Sequence, residues 1–300
     1  MSLFDKLIVW SIPFVPKPIV GYFSRNYIAG STLDDAIRVI KDLNEKSIMA
    51  TMDLLGEEVK EKSQSLEAVE QYLKMLQEIS NNNLDSNVSL KPTHMGLNLD
   101  KQFCYENIRR IVAKAKELNN FVRIDMEDHT TTDATIKMYL DLKKEFDGHV
   151  GTVIQSYMRR TSNDIDKLIR ENANLRLCKG IYVEPENVAF KKMPEINRNY
   201  NLNLDKLLEA QCYTGIATHD EQLVEHAMQT IERLDLDKSK YEFQMLLGVT
   251  EDLRNRILEK GHRLRVYVPY GKDWYHYSTR RLKENPRMAR MVVQKIFGFN

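Results

Sequence analysis

FVRIDMEDHTTTDATIKMYLDLKKEFDGHVGTVIQSY, residues 121–157, holds the pattern that decides the fold. A β-rich run, Phe121–Asp125, leads to Thr131 and Thr132, either of which can open a helix, and then to a second β-rich run, His149–Tyr157. Strand, helix, strand is the unit that builds a parallel sheet. The same order recurs on both sides of it. Upstream lie Ser47–Leu54 and Asn87–Lys91; downstream lie Asn174–Lys179, Tyr213–Thr218, Tyr241–Leu246 and Leu264–Val268. The intervening stretches carry helical spacing, as at Leu66, Val69, Tyr72, Leu73, Leu76 and Ile79, and helix-start residues at Asp100 and Asp220. Eight strands alternating with helices in about 250 residues predict an α/β chain folded as a closed (β/α)8 TIM-type barrel. The expected division is a barrel over residues 47–300, with residues 1–46 as an N-terminal helical extension packing on it.

Composition narrows the function. Of 300 residues 42% are hydrophobic, enough to bury a sizeable core, and 44 Lys plus Arg against 43 Asp plus Glu leave a net charge of +1. A nucleic-acid protein usually shows a basic excess, so no nucleic-acid partner is expected. No run of about 18 apolar residues suggests a transmembrane helix. The apolar segment Leu7–Val15 follows Asp5 and is interrupted by Pro13, which reads as packing rather than a signal peptide. Cys104, Cys178 and Cys212 are scattered and without a CxxC pair, which fits a reducing cytoplasm. Neither GxGxxG after a strand nor GxxxxGK[ST] occurs, so a dinucleotide would not be held by a Rossmann fingerprint.

A barrel of this kind places its active site at the C-terminal ends of the strands. Those ends read Asp53, Lys91, Asp125, Gln155, Arg176 with Lys179, Thr218 with His219, Gln244 and Tyr267. Singly each is an ordinary rim residue; together they converge. The expected last helix, Asp273–Asn285, sets Tyr277, Arg280, Arg281 and Glu284 at i, i+3, i+4 and i+7, on one face. Helix geometry alone leaves two readings open: a solvated Arg–Glu pair, or two guanidinium forks aimed at one carboxylate or phosphate. In DMEDH, a strand would turn Asp125, Glu127 and His129 to one side as a ligand set. The run enters a loop, however, and His94, His129 and His219 belong to different units, so no metal is expected.

The motifs MDLLGE (52–57), VSLKPTHMGL (88–97), FVRIDMEDH (121–129), VIQSYMRRT (153–161), RLCKGIYVEP (176–185), IATHD (216–220), YEFQMLLG (241–248), RVYVPYG (265–271) and YxxRRxxE (277–284) span nearly the whole chain. With them the sequence resembles the bacterial monofunctional proline dehydrogenases, whose barrel also occurs inside larger bifunctional proline-oxidising enzymes. The resemblance implies a non-covalent FAD across the barrel mouth. It further implies oxidation of L-proline to Δ1-pyrroline-5-carboxylate by hydride transfer to flavin N5. By the same resemblance Lys91, Arg280 and Arg281 bind the proline carboxylate, Glu284 pairs with the arginines, and Tyr267 and Tyr277 close over the ring. Asp125 orders the charges beside the flavin. Gln155, Arg176, Lys179, Gly180 and Ile181 contact the flavin, Met126 does so through its backbone, and Thr218 and His219 reach the rest of FAD. The chemistry suits these types: bidentate arginines clamp a carboxylate, and a cation such as Arg176 stabilises negative charge on the reduced ring.

Further implications are a quinone or membrane electron-transfer chain as acceptor, reached from the cytoplasm at the inner face of the membrane. Leu7–Val15 and the helix Pro286–Phe299 are candidate docking segments. A separate pyrroline-5-carboxylate dehydrogenase is expected for the next step, because there is no room here for that module. Val183 stands where the bifunctional members carry an aromatic residue, which departs from their adenine contact. Two readings from other classes stay open beside this one. One is an aldolase-type barrel with Lys91 or Lys179 as Schiff base; the other is a non-catalytic barrel that binds an anion.

Overall fold

The structure is a computed structural model that describes residues 26–56 and 59–275, with Gly21 and Ser278. Of the fully described elements helix α1 (Leu33–Asn44) is the first, capped by Thr32 and Asp35, which bond each other's backbone in a capping box. Eight strands follow, each answered by a helix up to the last: β1 (Met49–Leu54), α2 (Lys62–Asn81), β2 (Ser86–Leu90), α3 (Lys101–Glu117), β3 (Val122–Ile124) and α4 (Thr132–Glu145). The second half runs β4 (Val150–Gln155), α5 (Thr161–Arg170), β5 (Leu175–Cys178), α6 (Met193–Glu209), β6 (Thr214–Ala217), α7 (Glu221–Arg233), β7 (Tyr241–Leu246), α8 (Glu251–Glu259) and β8 (Leu264–Tyr270). Every strand is parallel to the next, and β8 pairs with β1 from Met49↔Arg265 to Leu54↔Tyr270, which closes the barrel.

The apolar core is a ring around the strands. One set of alternate strand residues, including Met52, Leu90, Ile124, Ile154, Leu177, Ile216, Phe243 and Val268, is fully buried against Ile40, Leu76, Ile108, Leu142, Leu168, Leu204 and Ile257 of the helices. Burying each such side chain contributes about 2 kcal/mol, which is why these runs are legible as strands. The other set is mostly polar and bonds between strands inside the barrel lumen. Arg176 on β5 reaches Asp125 beyond β3 and Gln244 on β7, and Arg265 on β8 reaches Glu242 on β7.

Most element ends fall within two residues of the sequence reading. Asp100 and Asp220 cap α3 and α7, their side chains accepting backbone N–H groups of the first turn. The open choice at the fourth helix resolves to Thr132 as first residue. Two strands differ for local reasons. β3 ends at Ile124 because the chain leaves the sheet at Asp125, whose N–H still donates to the Leu90 carbonyl. β8 continues past Val268 because Pro269 needs no N–H partner there; its carbonyl accepts from Ala29.

Candidate active site

The strand ends converge on a cavity of about 440 Å3 at the C-terminal mouth. All eleven of the described residues expected at the site line it. Lys91 stands just past β2, Asp125 and Met126 just past β3, Gln155 and Arg176 on β4 and β5, and Tyr267 on β8. Lys179, Gly180 and Ile181 come from the loop after β5, Thr218 and His219 from the loop after β6. Tyr277, Arg280, Arg281 and Glu284 lie outside the described residues.

Arg176 is the centre of this arrangement. Its Nη1 donates to Asp125 Oδ1 at 2.8 Å, its Nε donates to Gln244 Oε1 at 2.5 Å, and its Cζ lies 5.3 Å from the centroid of the Tyr267 ring. Asp125 also accepts from the Ser89 hydroxyl at 2.7 Å and, through Oδ2, from the Tyr267 hydroxyl at 3.0 Å. Burial, with the Asp125 and Asp53 carboxylates nearby, pushes the Tyr267 phenol well above its ordinary pKa, so it stays a donor.

Lys91 forms the second charged centre. Its ammonium is 3.2 Å from both oxygens of Asp53, whose side chain is fully buried. Burial alone would lower the Lys91 pKa. The carboxylates of Asp53, Asp125 and Glu127 outweigh it and hold the pKa above the ordinary lysine value. Lys179 is likewise committed, donating to Asp220 at 2.6 Å. His219 Nε2 accepts the Leu246 N–H at 2.9 Å, so the neutral ring carries its proton on Nδ1.

Gly180 explains how the loop after β5 comes close to the cavity. Its φ is +106°, and a Cβ there would stand 2.1 Å from the Tyr157 ring, so only glycine lets the backbone pass. The walls around the polar centre are apolar, with Met126, Val153, Ala217 and Met245 facing the space.

The DMEDH residues separate instead of gathering. Glu127 accepts from the Thr93 N–H at 2.8 Å and the Thr93 hydroxyl at 2.6 Å, while His129 bonds the Glu184 carboxylate through its backbone and its ring. With the strand ended at Ile124, alternation no longer applies to them, and no group of three candidate metal ligands occurs among the described residues. Asp53 and Gln244 were legible only as strand-end polar residues; here they hold the two cations. Ser89, Glu242 and Arg265 carried a signal that the motif reading passed over, namely polar residues at i and i+2 inside apolar runs, as in YEFQ and RVY.

The proline dehydrogenase family profile matches residues 36–294. This chain belongs to the proline dehydrogenase family. It is 36% identical over 275 residues to a proline dehydrogenase of Deinococcus radiodurans, an alignment that covers 90% of this chain and 89% of that protein. With proline dehydrogenase 2 of Bacillus subtilis strain 168 it shares 38% over 259 residues, 86% of this chain and 85% of the other. Among solved structures, proline utilization A of Bdellovibrio bacteriovorus, inactivated by N-propargylglycine, superposes with a TM-score of 0.82 at 25% identity. That match covers 88% of this chain but 32% of the other, so the family member described here spans about a third of that protein's length.

Proposed function

We propose that this chain oxidises L-proline to Δ1-pyrroline-5-carboxylate with a non-covalent FAD at the barrel mouth, and that its electrons pass to a quinone-type acceptor. The observation that carries the reading is the Arg176 guanidinium, fixed on two edges by Asp125 and Gln244 at the wall of an otherwise largely apolar cavity. A flavin has a flat apolar ring system with a polar edge that becomes negative on reduction, and this donor set fits it. Gln155, Arg176, the backbone of Met126 and the Lys179–Gly180–Ile181 turn would hold the ring, with Thr218 and His219 toward the rest of FAD. When bound, the flavin supplies the hydride acceptor at N5 for the ring carbon beside the proline nitrogen.

The chain's own residues do the rest. Lys91, with Arg280 and Arg281, takes the proline carboxylate, and the neighbouring cations lower the pKa of the substrate amine so that it sheds its proton. Tyr267 and Tyr277 would bound the ring and Glu284 would pair with the arginines, while Asp125 keeps Arg176 and Tyr267 in register. Arg176 offers a preorganised positive charge where negative charge develops. The lysine Schiff-base reading is disfavoured, because Lys91 is held as an ammonium by Asp53 and Lys179 is paired to Asp220. The product imine is then the substrate of a pyrroline-5-carboxylate dehydrogenase. Among the described residues no helix is long and apolar enough to cross a membrane.

The test is an anaerobic titration of the purified protein. Bound flavin absorption that bleaches on adding L-proline is expected. A colourless protein that borohydride traps on a ketone substrate refutes the reading.

A further inference from the structure

The polar chain does not stop at Arg176. Gln244, whose Oε1 accepts from Arg176, donates its Nε2 to Glu242 Oε1 at 2.6 Å. The same Glu242 oxygen accepts from Arg265 Nε at 2.7 Å, and Arg265 Nη1 donates to the Ala50 carbonyl at 2.6 Å. Glu242 is 1% exposed and takes no part in lining the cavity. Room for the Gln244 amide is left by Gly215 on β6, where a Cβ would stand 2.5 Å from Gln244 Nε2.

A glutamine amide has two faces, and turned half a revolution it would set NH2 against the Arg176 N–H, donor against donor. An ionised carboxylate accepts only, so Glu242 takes the NH2 face and leaves Oε1 for Arg176. Burial pushes the Glu242 carboxyl up, but Arg265 outweighs it and holds the pKa at about 2. Asp125 fixes the guanidinium at one edge and Gln244 at the other, and two attachments define its plane.

We propose that Glu242 is a positioning residue for the reaction: acting through the Gln244 amide, it fixes where the Arg176 charge stands. The inference rests on the reading of Arg176 as the cation that faces the flavin.

The test replaces the buried pair together, Glu242→Leu with Arg265→Met, because removing both charges avoids stranding a buried guanidinium. Arg176→Met is measured in parallel. The readouts on the holoenzyme are thermal unfolding, the flavin midpoint potential, and a stopped-flow split between proline dissociation constant and flavin reduction rate. In the double variant the melting temperature and proline dissociation constant stay near the parent. The potential falls in the same direction as in Arg176→Met, and the reduction rate drops tenfold or more, on the order expected of a misplaced group. Glu242→Gln, which can keep an oxygen toward Gln244 and Arg265, restores most of both. Parental potential and rate in the double variant, while Arg176→Met shifts them, overturn the proposal. If Arg176→Met itself shifts neither, the reading of Arg176 fails and the proposal falls with it. Should the double variant not fold, Gln244→Met carries the same expectations and the same refutation.

Discussion

Replacing Asp53 by Asn tests the buried Lys91 centre directly. The ammonium sits 3.2 Å from each carboxylate oxygen, with side-chain exposures of 11% and 0%. At an effective dielectric of about 20, two unit charges at that distance attract by roughly 5 kcal/mol. Taking away one partner of such a pair costs about 3–5 kcal/mol, because the remaining charge is still buried. In a domain of this size each kcal/mol moves the melting temperature by about 2–4 °C, so Asp53→Asn should lower it by roughly 6–20 °C. The pH dependence follows from the raised Lys91 pKa. That stabilisation is fully present below the unfolded lysine value and is lost as pH rises through the folded one. With Asp53 neutral, burial is less opposed, the folded pKa moves down, and the deficit grows toward alkaline pH. The assay is equilibrium urea unfolding of the parent, Asp53→Asn, Lys91→Met and the double variant at pH 7 and pH 9. A coupling energy under about 1 kcal/mol, the value of an exposed pair, would refute the reasoning.

Two further outcomes are expected. Burial, with the Lys91 charge beside it, holds His94 down to about 4, so its stabilising share is complete above pH 6.5 and is lost as pH falls through 4. The loss is about 3 kcal/mol, and urea unfolding of His94→Gln should lack it; parallel pH profiles for parent and variant would sink the claim. Gly180→Ala should lower flavin retention, read as the ratio of flavin to protein absorbance, because its Cβ meets the Tyr157 ring. Gly148→Ala, at φ +84° with nothing within 4 Å, should cost only about 1 kcal/mol of strain and keep its flavin; equal flavin loss in both would dismiss the close approach.

The barrel was legible because its outward strand residues are apolar and face helices, which leaves every run with a hydrophobic alternate. Length was harder to read. The sequence reading ended the last strand at Val268, yet β8 runs on through Pro269, which supplies only a carbonyl, to Tyr270. Of the site, the strand-end residues were legible from position, since Lys91, Asp125, Arg176 and Tyr267 do meet at one cavity. Their bonding was not. Nothing in spacing says that Asp53 belongs to Lys91 or Gln244 to Arg176, because those pairs form between different strands, 38 and 68 positions apart in the chain. Separation of Asp125, Glu127 and His129 was also hidden, since it depends on where the chain leaves the sheet.

A ring-shaped core has a consequence for how such a sequence can drift. Substitutions on the helix-facing side of a strand are judged by volume, one at a time, as in any packed layer. Those inside the lumen are judged by charge: loss of Arg265 strands Glu242, and loss of Asp53 strands Lys91. Lineages that share this barrel should therefore change lumen residues in compensating pairs, while the outer layer wanders singly. Glu242 and Arg265, ion-paired between neighbouring strands, are the pair in which that double change should be easiest to find.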